Sequence, residues 1–506
     1  MLRLMEPYSD SHQPVPLLAA LSTVNLAEDS EHLQHQEPRC LCVDLDGTLV
    51  RSDTLMESFL AVVRANPTRI PQILMSLYRG KAKFKQQLER AAHLNPDALP
   101  YSRPVLDYIQ SEAKNGRRLF LVTGADASVA VPVAEHLGLF TGVICSDGLE
   151  NVTGATKLDS IRRLLGHQDF SYVGNSRDDL PVWKAAKSAV VVGANRRVRE
   201  VLQISGVRVE KIISGPQVSM HAIAKAMRVH QWIKNLLVLL PVFLGHHVLE
   251  IGTMFSAVRA FFAFSFCASA LYVINDLLDL PADRRHTEKR LRPLAAGELS
   301  IVCAILVSAV LLVSSAILNP TRDAAMLLAL YCVSVLSYSL YLKRLLMLDV
   351  ILLAGFYTLR LLYGGLATKI GVSIWTLAFS IFMFLSLALI KRICELRLRS
   401  SEEGLTGSRR GYLFADLPQL TALCAASGSI SALIVVLYVR SPDVAPLYAR
   451  PYLLLGIFPL LAYWHSRLLI LANRGLVQGD PIVFSLFDRA SQIVAIAVLL
   501  IIAAAI

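Results

Sequence analysis

The chain has 506 residues, 54% of them apolar, and a mean hydropathy of +0.50. That is too long for one soluble core and too apolar for two, so part of it belongs in a membrane. The formal charge of +11 requires no nucleic-acid partner, because membrane topology together with anionic substrates or lipids accounts for it.

Up to about residue 225 short apolar runs alternate with polar stretches, and beyond it come repeated runs of 18 to 23 residues nearly free of charge. The later runs have the length a helix needs to cross hydrocarbon. The first 36 residues lack a basic start, an apolar run and a small-residue cleavage site in succession, so residues 1–38 are expected to form a disordered tail. The eight cysteines are scattered without zinc-ligand spacing, and the close pair Cys40 and Cys42 falls on an expected buried strand.

Residues 40–49, CLCVDLDGTL, form an apolar run ending in two aspartates and a glycine, the way a buried parallel strand delivers carboxylates to a sheet edge. RRLFLVTGAD repeats the pattern with Thr123 at the strand end, Lys157 follows a glycine-containing loop, and FSYVGNSRDDLPVW supplies a strand ending at Gly174 and Asn175. These sites, in this order over about residues 39–200, resemble the haloacid dehalogenase-like phosphatases. The resemblance implies an α/β Rossmann-like domain over 39–215, and amphipathic stretches such as ESFLAVVRA and FKQQLERAAHL fit a small helical cap over about 54–115. It further implies that Asp44 attacks phosphorus, that Asp46 protonates the leaving oxygen and then activates water, and that Thr123 and Lys157 hold phosphoryl oxygens. Mg²⁺ is expected between Asp44, the backbone carbonyl of Asp46, and a last loop containing Asn175 and Asp179. The family usually has an aspartate where Asn175 stands, which weakens the expected metal binding and leaves a purely structural domain as the alternative.

About nine spans are expected, give or take one, near 233–249, 254–275, 299–319, 324–342, 348–367, 373–390, 418–439, 451–471 and 490–506. Sixteen Lys and Arg residues lie in the loops on one side and four on the other, which puts the charged loops and the soluble half in the cytoplasm. The loop after the second span reads NDLLDLPADRRHTEKRLRPLAAGE, residues 275–298. Asp276, Asp279 and Asp283 recur at spacings of three and four, so on a helix they share a face and can hold Mg²⁺ by one oxygen each. Such a metal receives a diphosphate, and Arg284, Arg285, Lys289, Arg290 and Arg292 follow within two turns to neutralise its remaining oxygens.

HQWIKN before the first span, this acidic motif, and YSLYLKR over 338–344 together resemble the UbiA superfamily of polyprenyl transferases, nearest the decaprenyl-phosphate phosphoribosyltransferase type. The resemblance covers about 226–506 and implies an all-α polytopic membrane domain. Asn275, Asp276, Asp279 and Asp283 then hold metal and donor, Arg290 and Arg292 contact phosphates, and Lys234, Tyr338 and Lys343 are pocket candidates by family position. Aromatic prenyltransferases of this fold normally carry a second aspartate-rich loop, whereas this chain has KRICELRLRSSEEGLTGSRRGY, in which Lys391, Arg392, Arg397, Arg409 and Arg410 outnumber the acids. A second anion is therefore expected in place of a second metal: phosphoribosyl diphosphate on the acidic loop and a polyprenyl phosphate reaching the basic one. Arg360 lies about 16 Å into its span at the helical rise, where an ionised residue is a functional candidate, as a ligand for lipid phosphate or as a partner for another helix.

The fusion suggests that the membrane half makes a lipid-linked phosphoribose whose 5-phosphate the soluble half removes, in a bacterial inner membrane, for use in an envelope polymer or lipid. An aromatic prenyltransferase using a prenyl diphosphate, and a transporter or scaffold with a vestigial soluble domain, are the alternatives. The sequence leaves oligomeric state and lipid chain length open.

Overall fold

The computed structural model describes residues 39–506 apart from 149, 194–195, 216–218, 400–410, 443, 445–446 and 478. The expected tail over 1–38 and the basic pair Arg409 and Arg410 lie outside the described residues. Six parallel strands form one sheet: β1 (Cys40–Val43), β2 (Arg118–Asp126), β3 (Gly142–Ser146), β4 (Phe170–Gly174), β5 (Ser188–Val192) and β6 (Val209–Ile213). Their order, β3-β2-β1-β4-β5-β6, places β1 at the point where the winding reverses direction. Val43 pairs with Leu121 on one side and Val173 on the other, so β1 and β4 end at one level while β2 runs on past them to Asp126.

Side chains alternate along each strand, and both faces are covered. Leu41 and Val43 pack with Leu121, Val129 and Val173 on one face, while Cys40 and Cys42 pack with Phe170, Tyr172 and Trp183 on the other. Between β1 and β2 the chain forms the cap, whose helices Thr54–Ala65, Ile70–Met75 and Lys81–Ala92 enclose Val62, Ile73 and Leu88. Asp53 begins the first of these helices by accepting from the amides of Leu55 and Met56.

The second half is helical, which agrees with the expected class. Among the described residues seven helices are long and apolar enough to cross a membrane: Ile251–Leu278, Ile301–Leu318, Arg322–Leu340, Leu348–Thr368, Ile374–Leu398, Phe414–Val439 and Pro451–Asn473. An eighth arises if Pro481–Phe487 and Arg489–Ala505, bent by 83°, are one span. Asp488 makes that bend by capping the second piece through the Ser491 amide while it binds Arg467. The expected first span is instead an 11-residue 3₁₀ stretch, Val229–Leu239, followed by the short helix Leu240–Leu244. Pro241 has no N–H to continue a helical ladder across that junction.

The helix carrying the acidic motif is lined with Ala257, Ala260, Ala263, Ala268, Ser269 and Ala270, all buried, which lets neighbouring backbones approach closely. Further along, Arg392 at 2% exposure donates to Asp349 at 0% exposure over 2.7 Å, and the Tyr412 hydroxyl donates to the same carboxylate. Removing one partner of a buried pair leaves an uncompensated charge and costs about 3–5 kcal/mol. Asp349→Ala is therefore expected to lower the melting temperature of the detergent-solubilised protein sharply. Asp349→Leu combined with Arg392→Met is expected to recover most of the loss in the same melting measurement.

Candidate functional site

The carboxyl ends of β1, β2 and β4 gather the expected phosphatase residues. Asp44 follows β1, and its two oxygens accept from Lys157 Nζ at 2.8 Å and from the Thr48 hydroxyl at 3.1 Å. Lys157 also donates to Tyr172 at 2.8 Å and to Asp179 at 3.3 Å, so one ammonium stands between the carboxylates of Asp44 and Asp179. Asp179 in turn accepts from the amides of Asn175 and Ser176, which fixes the loop after β4. Asn175 lies against Gly47: a Cβ there would come within 2.1 Å of the Asn175 side-chain nitrogen, and the positive φ of +70° also favours glycine. Thr123 is fully buried in β2, where its oxygen accepts from the Ala125 amide and its own proton remains to donate.

Asp46 sits at the cap side, accepting from the Thr54 amide at 2.7 Å. Burial pushes Asp46 up to about 6 with help from nearby Asp53, against the Thr54 hydrogen bond. Burial likewise pushes Asp44 up to about 7, although Lys157 pulls it down. Burial opposes the charge on Lys157, but Asp44 and Asp179 outweigh it and hold the ammonium above its ordinary value. The cap contributes residues the sequence did not single out: Lys85 donates to the Gly124 carbonyl, and buried Glu89 accepts from the Asp126 amide.

The second cluster lies at the end of helix Ile251–Leu278. Asp276, Asp279 and Asp283 do not sit on one continuous helix: it ends at Leu278, Asp279 is its cap, and a new helix, Leu280–Arg285, begins with Pro281 in its first turn. The proline cannot donate to a preceding carbonyl, which breaks the ladder there. The carboxylates stay close because cations join them. Arg292 donates to both Asp276 and Asp283, Arg228 donates to Asp276 at 2.6 Å, and Lys343 and Asn275 reach Asp279 at 3.4 and 3.3 Å. Burial raises Asp283 above the usual carboxylate value, although Arg292 pulls the other way. Among the described residues no ready-made cluster of three metal-binding side chains occurs. Asp276, Asp279 and Asp283 nevertheless each keep one oxygen that accepts no hydrogen bond among the described residues. Three open carboxylate oxygens suit a hard divalent cation.

Deeper between the helices, Lys234 and Lys391 both reach Asp480, at 2.6 and 3.4 Å. Burial acts to raise Asp480, but the two lysines hold it below the usual carboxylate value. Arg360 pairs with other helices: it donates to Asn235 at 2.9 Å and to the Phe356 carbonyl at 2.6 Å, with the rings of Phe264, Tyr331 and Tyr357 within 4.9–5.6 Å of its guanidinium carbon. Tyr338 packs edge-on against Phe356. Two expected pocket cations stand apart. Arg392 is committed to Asp349 and Glu395, and Arg290 is exposed with no side-chain partner among the described residues. Arg228, two residues before HQWIKN, is passed over by the sequence reading; Asp480 lies in the GDP segment at 479–481, which resembles a segment of the family and which a capped loop before the last helix explains equally well.

The halves meet beside the acidic loop. A cleft of about 550 Å³ between them is lined by Arg64 of the cap, by Pro281, Ala282 and Arg285 of the short helix, and by Arg344 next to Lys343.

A parallel sheet carrying Asp44, Asp46 and Thr123 at its edge beside Lys157, joined to a helical bundle with an acidic loop, defines a hydrolase-like domain fused to a membrane transferase. Family models agree: the haloacid dehalogenase-like hydrolase model matches residues 41–184, and the UbiA prenyltransferase family model matches residues 238–475. The chain belongs to the UbiA prenyltransferase family through its membrane half and carries an N-terminal haloacid dehalogenase-like domain. It is 35% identical over 456 residues to the uncharacterized protein y4nM of Sinorhizobium fredii, covering 89% of this chain and 88% of that protein. It is 32% identical to nodulation protein NoeC of Azorhizobium caulinodans, over 53% of this chain and 88% of that one. Decaprenyl-phosphate phosphoribosyltransferase of Mycobacterium tuberculosis is 33% identical, over 42% of this chain and 76% of that protein.

Asp44 titrates near 7 in the folded protein and near 3.8 in its absence, so the folded state binds the extra proton between those values and loses stability as pH rises through them. Asp44→Asn is expected to flatten the fall of melting temperature between about pH 4 and pH 7 relative to wild type, as read by thermal melts across that range.

Proposed function

We propose that the membrane half moves 5-phosphoribose from phosphoribosyl diphosphate onto a polyprenyl phosphate, and that the soluble half then removes the 5-phosphate to leave polyprenyl-phosphoryl ribose. The observation that carries this reading is the meeting of Asp276, Asp279 and Asp283 with Arg228, Arg292 and Lys343 at one loop. Such mixed charge suits a diphosphate, whose oxygens need cations on one side and a metal held by carboxylates on the other. The likeness to proteins named decaprenyl-phosphate phosphoribosyltransferase supports the donor and acceptor. In this reading the phosphatase unit is residues 39–215 and the transferase unit 226–506, in a bacterial inner membrane with the soluble half on the cytoplasmic side.

On donor binding, Arg228, Arg292 and Lys343 take diphosphate oxygens, so that Asp276, Asp279 and Asp283 would be free to hold Mg²⁺, which would supply positive charge for the departing diphosphate. An oxygen of the lipid phosphate bonds to the anomeric carbon of ribose as the bond from that carbon to the diphosphate oxygen breaks, and the electron pair leaves with the diphosphate. An ionised phosphate is already a nucleophile, so no general base is required. Lys234 and Lys391 can exchange Asp480 for that phosphate. In the soluble half, Asp44 attacks phosphorus while Asp46 gives its proton to the leaving 5-oxygen; water then attacks the aspartyl phosphate and returns a proton to Asp46. Asp44, Asp179, the Asn175 carbonyl oxygen and the backbone carbonyl of Asp46 are the groups that would hold a second Mg²⁺.

Purified protein given labelled phosphoribosyl diphosphate and polyprenyl phosphate is expected to yield lipid-extractable label. Asp276→Asn or Asp279→Asn is expected to reduce it at least on the order of a hundredfold. No extractable label from wild type rejects the transfer. Asp44→Asn is expected to leave transfer intact and the 5-phosphate in place, as read by chromatography of the lipid product. Asn175→Asp restores a charge to the metal-binding loop and is expected to lower the Mg²⁺ concentration needed for half-maximal dephosphorylation.

A further inference from the structure

Arg284 belongs by sequence to the basic run after the acidic motif, but its side chain turns away from the carboxylates and into the soluble half. It forms two parallel hydrogen bonds to Glu57 of the cap, Nη2 to Oε1 at 2.6 Å and Nη1 to Oε2 at 3.1 Å. Both side chains are buried, at 8% and 4% exposure, and Arg284 also donates to the Ala98 carbonyl at 3.3 Å. A buried bidentate pair of this kind sets geometry as well as distance.

Glu57 lies on the short segment that connects the phosphatase acid to the cap. The Glu57 amide bonds the Asp53 carbonyl at 3.0 Å, and between them the Thr54 amide donates to Asp46 at 2.7 Å. The same segment touches the transferase at two further places. Arg51 donates to the Ala296 carbonyl at 3.3 Å, and Gly297 lies so close that a Cβ there would be 2.9 Å from the Arg51 Cβ. Met56 and Leu60 pack against Ala226, Val273, Leu277, Leu280 and Leu294. Residues 51–57 are therefore gripped by the transferase loop over 280–298 at both ends.

Resting on the reading of the soluble half as a phosphatase, we propose that Arg284 is a positioning residue for it: by holding Glu57 across the junction it keeps the Thr54 amide on Asp46, so that the phosphatase is set for reaction by its seat on the transferase. Arg284 touches no reacting atom. Its effect passes through the first turn of the Thr54–Ala65 helix.

The test uses the full chain and the soluble phosphomonoester p-nitrophenyl phosphate. Arg284→Gln is expected to lower kcat about tenfold, less than the roughly hundredfold that a 1 Å misplacement of a reacting group can cost, with KM changed less than about twofold. Amide hydrogen exchange over residues 51–60 is expected to quicken in the same variant. Arg284→Lys, which keeps the charge, is expected to recover part of kcat and of the protection. Glu57→Gln reaches the same contact from the other side and should reproduce the loss if Arg284→Gln does not fold. A wild-type kcat in either glutamine variant, or unchanged exchange over that segment, overturns the positioning role alone, because wild-type hydrolysis that vanishes in Asp44→Asn upholds the phosphatase reading by itself. Absence of hydrolysis in wild type overturns both.

Discussion

A charge kept from water is costly unless an opposite charge shares its site, and that constraint recurs at three carboxylate clusters of this chain. Lys157 holds Asp44 and Asp179, Arg292 holds Asp276 and Asp283, and Lys234 with Lys391 holds Asp480. The lysine pairs join elements distant in sequence, so they fix the relative position of parts of the fold, while Arg292 ties the two pieces of one loop together. Every one of these pairs also offers an exchange: an incoming phosphate can take the cation, and a metal can take the carboxylate. A site built of internal ion pairs is thus already dimensioned for anionic substrates.

Much of the soluble half was legible because its chemistry sits at strand ends. A short apolar run ending in polar residues marks both the strand and the edge where side chains converge, and three such runs, with Lys157 between the second and third, set Asp44, Thr123, Lys157 and Asn175 in order. The membrane half was legible in class and less so in detail. Hydropathy reports how apolar a stretch is but not how it is wound, so the 3₁₀ run Val229–Leu239 and the 83° bend near Asp488 both read as ordinary spans. The spacing of Asp276, Asp279 and Asp283 likewise suggested one helix, and Pro281 decided otherwise. Glu57 carried no local mark, since its partner stands 227 residues away, and the GDP segment marked Asp480 without revealing its partner Lys234, 246 residues away.

Arg360 shows a different solution to the same constraint. No carboxylate contacts it among the described residues; its charge is spread over an amide oxygen, a backbone carbonyl and three aromatic rings. Dipoles and ring faces solvate a guanidinium without cancelling it. A net positive charge therefore persists inside the bundle, whereas Arg392, on the next helix, is neutralised by Asp349 and Glu395. The two arginines look alike in sequence, each in an apolar helix, and only their partners separate a charge that is spent from one that is not.

The loop over 280–298 serves both halves at once, and helix geometry explains how so short a segment can do so. Successive residues on a helix point about 100° apart, so Asp283 and Arg284 on the Leu280–Arg285 helix face different neighbours. Asp283 turns inward to Arg292, and Arg284 turns outward to Glu57. The proline that breaks the longer helix is what makes this division possible. Had the helix run on without interruption, residues 279–285 would follow the axis of Ile251–Leu278 away from the bundle, and the ion pair to the cap would have to form at a different place. The break at Asp279 and Pro281 lets a single turn of helix present a carboxylate to one chemical site and an arginine to the other, so the arrangement of the transferase loop and the seating of the soluble domain are one structural decision.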